Sequence, residues 1–125
     1  MIEYLIDANI FFRIFKNDLL VKQLVENLDA GICATVYIEC LQGSKSNKDK
    51  RDIQLYLDNF SLLQITPDIS ARAIDLIITY SNSHGLLLAD ALIAATALEN
   101  DLTVVTYNVD DFKFIEDLKY LKPTV

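Results

Sequence analysis

Four acidic residues, Asp7, Glu39, Asp90 and Asp111, each stand beside an apolar run, at or near places where strands and helices should meet. Isolated carboxylates belong in water, and an acid tied to apolar structure generally has a partner. Glu39 is the sharpest case, since it sits inside ATVYIECL with no lysine or arginine near it in sequence. If the fold gathers the four acids, their mutual repulsion calls for a cation. Hard oxygen donors of this kind select magnesium or manganese.

The elements that must position them follow from periodicity and punctuation. Ile2 to Ile6 reads as a strand, Asp7-Ala8-Asn9 as a turn, and Ile10 to Phe15 as a short amphipathic helix. Asp18 is expected to cap a helix that Gly31 ends. A strand over Ile32 to Ala34 leads through a capping Thr35 into a helix from Val36 to Gln42, stopped by Gly43. After the polar stretch SKSNKDKRD come a helix around Ile53 to Phe60 and a strand from Leu62 to Ile65. Asp68 should open a long helix with Ile69, Ala73, Ile74, Ile77 and Ile78 facing inward. Leu92 to Leu98 reads as a central helix, Thr103 to Thr106 as a strand, Asn108 to Phe114 as a short helix, and Tyr120 to Leu121 as a last strand. Strands separated by helices indicate an α/β fold with a largely parallel sheet.

In such sheets ligands bind beyond the carboxyl ends of the strands. Asp7 and Asp111 follow strands, Asp90 heads its helix above a stripe of Ile93, Ala94 and Ala97, and Glu39 lies one turn into the helix after the second strand. The four acids are thus expected on one sheet edge. Each has a plainer explanation alone: Asp90 as an N-cap, Asp7 as an Asx-turn, and Asp110 with Asp111 as partners of a helix dipole. Four coincidences at one edge are less probable than one site.

With 125 residues, 52% of them hydrophobic, two prolines and three glycines, the chain is expected to form a single globular domain over residues 1–125. Its net charge of -7 argues against gripping nucleic acid with the whole surface, leaving local basic patches. The start MIEYLIDANIFF has no signal-peptide pattern, and the apolar stretch Leu86 to Leu98 is too short for a membrane span. Both point to the cytoplasm. Cys33 and Cys40 read as buried hydrophobes without zinc-site spacing, and His84 as a helix-end residue.

The chain resembles PIN domains, and in particular the ribonuclease toxins of the VapC family. The resemblance rests on LIDANI around Asp7, TVYIECLQG around Glu39, GLLLADALIAATAL around Asp90, and VVTYNVDDF ending in Asp111 and Phe112. Together these cover Leu5 to Phe112, and the last two are the specific ones. Two positions depart from the family pattern: Ala8 lacks the usual middle hydroxyl, and Val36 stands where a serine or threonine often precedes the glutamate.

The resemblance implies a three-layer PIN-like fold with a short central sheet of about five strands. It implies an endoribonuclease with one or two Mg2+ or Mn2+ ions held by Asp7, Glu39, Asp90 and Asp111. Asp7 and Asp90 would be direct ligands, Glu39 would bind through water or accept a proton, and Asp111 would complete a second, weaker shell. Asn9, Thr106 and Asn108 would orient carboxylates or phosphate oxygens. RNA would enter past Arg13, Lys45, Lys48, Lys50 and Arg51, although that basic run also suits a solvated helix start. The implied partners are an antitoxin protein and a second copy of the chain, with Phe11, Phe12 or Tyr56 as interface residues. Two other readings compete: a Mg2+-dependent phosphotransfer domain, and a PIN module that binds RNA or protein without cutting.

Overall fold

The computed structural model describes all residues 1–125. Its centre is a five-stranded sheet formed by β1 (Tyr4–Ile6), β2 (Ala30–Cys33), β3 (Ser61–Leu63), β4 (Thr103–Val105) and β5 (Lys119–Leu121). The spatial order is β3-β2-β1-β4-β5, and all pairings are parallel. β1 is the middle strand, with Leu5 and Ile6 fully buried, as expected of a parallel strand covered on both faces. From β1 the chain builds outward to β2 and β3, then crosses back to lay down β4 and β5. The reversal falls between β1 and β4, where Ile6 pairs with Val105. A crevice opens at the carboxyl ends of such a pair of strands.

Helices α1 (Ala8–Phe15), α2 (Leu19–Glu26), α3 (Ala34–Gln42), α4 (Asn47–Leu57), α5 (Pro67–His84) and α6 (Leu88–Asn100) flank the sheet. In α6, Ala91, Ile93, Ala94, Ala95, Thr96 and Ala97 are all buried, and the small side chains let α5 and α3 approach closely. The Thr96 hydroxyl, which would be an orphan there, donates to the Leu92 carbonyl at 2.7 Å. α5 begins with Thr66 as N-cap and Pro67 in its first turn, and ends at Gly85 in the left-handed conformation, φ 70°.

Several local expectations shift. The cap of α5 is Thr66, and Asp68 lies inside the first turn. Ile69, Ala73 and Leu76 make its buried stripe, whereas Ile74 and Ile78 are 58% and 76% exposed. α2 stops at Asn27, and Gly31 belongs to β2 instead. A Cβ on Gly31 would stand 2.6 Å from Ile2 Cδ1, 2.8 Å from Leu63 Cδ1 and 3.0 Å from the Ser61 carbonyl oxygen, so close strand packing explains the glycine. α3 starts one residue before Thr35, with Cys33 in the N-cap position. The segment after Asn108 is a single 3-10 turn, Val109–Asp111, anchored by the fully buried Phe112. Phe11 is fully buried against Phe15, Tyr56 and Phe60, which removes it from any interface.

Candidate active site

Asp7 follows β1 directly and opens α1, so its carboxylate lies at the crevice and at a helix N-terminus together. It is only 6% exposed. Its Oδ1 accepts from the Ala8 backbone N–H at 2.7 Å, and its Oδ2 accepts from the Thr106 hydroxyl at 2.8 Å and from Asn9 Nδ2 at 3.2 Å. Thr106, the first residue past β4, accepts in turn from Asn9 Nδ2 and from the Asn108 backbone N–H, both at 3.0 Å. Asn9 Oδ1 closes the network by accepting from the Tyr107 backbone N–H at 3.1 Å. Every capacity of the Thr106 hydroxyl is used. Thr106 supplies the hydroxyl that reaches the Asp7 carboxylate, from the neighbouring strand.

The other acids gather around Asp7. Asp90 is the third residue of α6, three past the N-cap position, which Leu87 occupies. Its carboxyl is pushed up to about 7 by burial and then by the charges of Asp7, Asp111 and Glu39. Glu39 comes from the middle of α3, half-buried, and is raised by burial and by Asp7. Asp7 itself is raised by burial, against the lowering effect of its hydrogen bonds, with a further push from Asp111. Asp111 is exposed at the rim, whereas Asp110 turns away and pairs with Lys113 at 2.8 Å. The structure therefore brings together Asp7, Glu39, Asp90 and Asp111, with Asn9 and Thr106 beneath them and Asn108 beside Thr106.

No ion pair reaches any of the four. Glu39 Oε1 is buried without a hydrogen-bond partner, as is the Thr35 hydroxyl one turn earlier. An unsatisfied polar atom of this kind costs about 1–3 kcal/mol, more when charged, so the oxygen donors fit a hard cation better than an empty polar recess. The acids do not already form a cage, because no three metal-binding side chains stand close enough for one. Charge acts over longer distances than coordination, so the four acids raise one another's pKa without standing in one coordination sphere.

Beneath the acids, Cys33 and Cys40 are buried free thiols, pushed up to about 11 and about 12 by burial first and by the nearby carboxylates after it. They are protonated packing groups. Val36 is a fully buried core residue. A concavity of about 620 Å3 lies elsewhere, among Glu3, Tyr4, Asn100, Asp101, Thr103 and Lys119. It holds none of the four acids.

The basic residues are scattered. Arg13 gives Nε and Nη2 to Asp18 at 3.2 and 3.0 Å and lies 4.3 Å over the Tyr107 ring. Lys48 pairs with Asp52 at 3.0 Å, while Lys45, Lys50 and Arg51 are exposed around the start of α4, which Ser46 caps. Sequence reasoning missed the backbone N–H groups of Ala8, Tyr107 and Asn108, which carry much of the Asp7 network and have no side-chain signature.

Residues 4–117 match the PIN domain family model. The chain belongs to the PIN domain family. Over 80 residues this PIN domain is 38% identical to Ribonuclease VapC10 of Mycobacterium tuberculosis, a match that takes in 63% of the chain and 60% of that relative. Among solved structures, a toxin-antitoxin complex from Klebsiella pneumoniae superposes with a TM-score of 0.78 at 28% identity, covering 93% of this chain and 95% of that one. VapBC2 from Rickettsia felis, bound to a DNA fragment from their promoter, superposes with a TM-score of 0.81 at 25% identity, covering 98% and 99%. The five-stranded parallel sheet with six flanking helices is the PIN fold of these neighbours. No helix is long and apolar enough to cross a membrane.

Proposed function

We propose that the chain is a metal-dependent endoribonuclease, the toxin of a VapBC-type pair, in which Asp7, Glu39, Asp90 and Asp111 hold one or two Mg2+ or Mn2+ ions. The observation that carries this reading is the convergence of four carboxylates without a basic partner, three of them partly or fully buried, with Asp90 raised to about 7 and Glu39 Oε1 unpartnered. The PIN family match and the similarity to a ribonuclease support it, and PIN ribonucleases are in general dependent on divalent metal. The solved neighbours, captured as toxin-antitoxin complexes, support an antitoxin partner. A second copy of the chain and a cytoplasmic location complete the reading.

When bound, such a cation activates water and neutralises charge on a phosphate oxygen. The chain's own residues do the rest. Thr106, Asn9 and the Ala8 N–H hold both oxygens of Asp7, so that this carboxylate presents fixed lone pairs. Asp90, pushed up to about 7 by burial and the neighbouring acids, would be returned to its charged form by a cation held beside it. Glu39 has a free oxygen to accept a proton from an attacking water or to bind one. Asp111, exposed at the rim, meets the phosphate side of the cleft. His84 takes no part: it stacks on Phe114 with ring centroids 4.4 Å apart.

The test is cleavage of structured RNA by the purified chain with Mn2+ or Mg2+ and with chelator. Cleavage is expected with metal, absent with chelator, and lost in Asp90→Asn. Undiminished cleavage by the Asp90→Asn chain would sink the assignment, and formation of an aspartyl phosphate would favour the phosphotransfer reading.

A further inference from the structure

We propose that Lys122, in the recess it shares with Asn108 and Asp111, is a subsite for a backbone phosphate of the RNA strand flanking the bond to be cut, an assignment that rests on the nuclease reading above. The recess has a volume of about 440 Å3 and is lined by Tyr107, Asn108, Val109, Asp110, Asp111 and Lys122. The recess therefore holds the rim acid of the cleft and a lysine together.

Lys122 is the free cation of this wall. It is exposed and enters no ion pair, whereas the other local lysine, Lys113, is committed to Asp110 at 2.8 Å. Arg13, the nearest guanidinium to Tyr107, is held by Asp18 and by the Tyr107 ring. The charge of Lys122 reaches Asp110, whose carboxyl is lowered chiefly by Lys113 and in small part by Lys122. In a chain of net charge -7, one unpaired cation in the recess of Asp111 makes the local potential less negative.

The backbone that carries Lys122 is fixed on both sides. The Leu121 carbonyl accepts from the Thr106 backbone N–H at 3.0 Å, tying this segment to the same residue that orients Asp7. The next residue, Pro123, is buried and restricts Lys122 to extended backbone. The Tyr107 hydroxyl then donates to the Val125 carbonyl at 3.0 Å. A lysine on such a base is a point charge on a flexible stem, suited to a phosphate whose exact position shifts along the strand. Asn108 adds an exposed amide, and a cation on Asp111 would remove the repulsion that this acid otherwise offers.

The experiment separates binding from chemistry. The full chain carrying Asp90→Asn is titrated, with Mn2+, into a labelled single-stranded oligoribonucleotide, and anisotropy is followed over a range of salt. Adding Lys122→Ala or Lys122→Gln is expected to weaken binding about fivefold to tenfold and to flatten the salt slope by about 0.7, one phosphate contact on a single strand. Lys122→Arg should restore most of both, and Lys119→Ala, which removes a lysine paired with Asp101, should change neither as much. Equal affinity and equal salt slope without Lys122 overturn the assignment, and so does a failure of both chains to bind. Cleavage by Asp90→Asn would instead strike at the nuclease reading, and the binding comparison would still judge Lys122.

Discussion

The Thr106 hydroxyl donates to Asp7 Oδ2 across 2.8 Å, joining the ends of two neighbouring strands whose residues are 99 positions apart in the chain. Of the hydrogen bonds that lower the Asp7 pKa, this one is the largest. It sets the orientation of the most buried acid before any ligand arrives.

Replacing Thr106 by valine keeps the shape and removes the bond, leaving Asp7 Oδ2, Asn9 Nδ2 and the Asn108 N–H each short of a partner. The expected loss is about 1–3 kcal/mol in chemical denaturation at pH 7, with most of it recovered in Thr106→Ser. A valine variant as stable as the parent would mean that water replaces the hydroxyl without loss.

Asp90 and Asp7 should respond oppositely to conversion into asparagine. Asp90 is pushed up to about 7 from 3.8, so between those values the folded chain keeps a proton that the unfolded chain has released. Stability then falls as pH rises through this window. Asp90→Asn is expected to flatten that decline and to melt higher than the parent at pH 8. Asp7→Asn keeps the burial but sets an amide N–H against one of three donors, and should melt lower. Thermal scans at pH 5, 6, 7 and 8 check both; parallel curves for parent and Asp90→Asn would refute the first.

Glu39 offers a cleaner probe of the proposed cation. Its unpartnered Oε1 is a burden without metal and, on the proposed reading, a ligand with it, so Glu39→Met is expected to raise the melting temperature in chelator and to reduce any further rise that Mn2+ gives the parent. If Mn2+ raises the melting temperature of both chains equally, Glu39 does not meet the ion.

Gly31→Ala tests the sheet. The added methyl would press on Ile2, Leu63 and the Ser61 carbonyl, and overpacking of this kind costs about 1–3 kcal/mol. The site residues are untouched, so the loss should appear in denaturant midpoint and not in metal affinity.

Much of this arrangement was legible because strands of three or four residues still carry their apolar signature, and because acids after parallel strands must share an edge. The strand order was not legible: nothing in LIDANI says that β1 lies between β2 and β4. Ile74 and Ile78 misled because α5 carries apolar residues on more than one stripe, and periodicity alone does not say which stripe meets the core. Gly31 misled because a glycine that ends a helix and one that admits a neighbouring strand look alike in sequence. The orienting role of Thr106 was expected from resemblance, while its three partners, two of them 97 and 99 residues distant, are a property of the folded chain.

The strand order also carries a temporal consequence. The middle strand is made first and its β4 neighbour much later, so Asp7, Glu39 and Asp90 are all synthesised before Thr103–Val105 can pair with β1. Parallel pairing over such a separation is slow, because loop closure precedes any return in contacts. An incomplete nascent chain therefore carries three of the acids without the hydroxyl that aims them. The hydrogen bond that holds Asp7 thus forms only when the last part of the sheet closes.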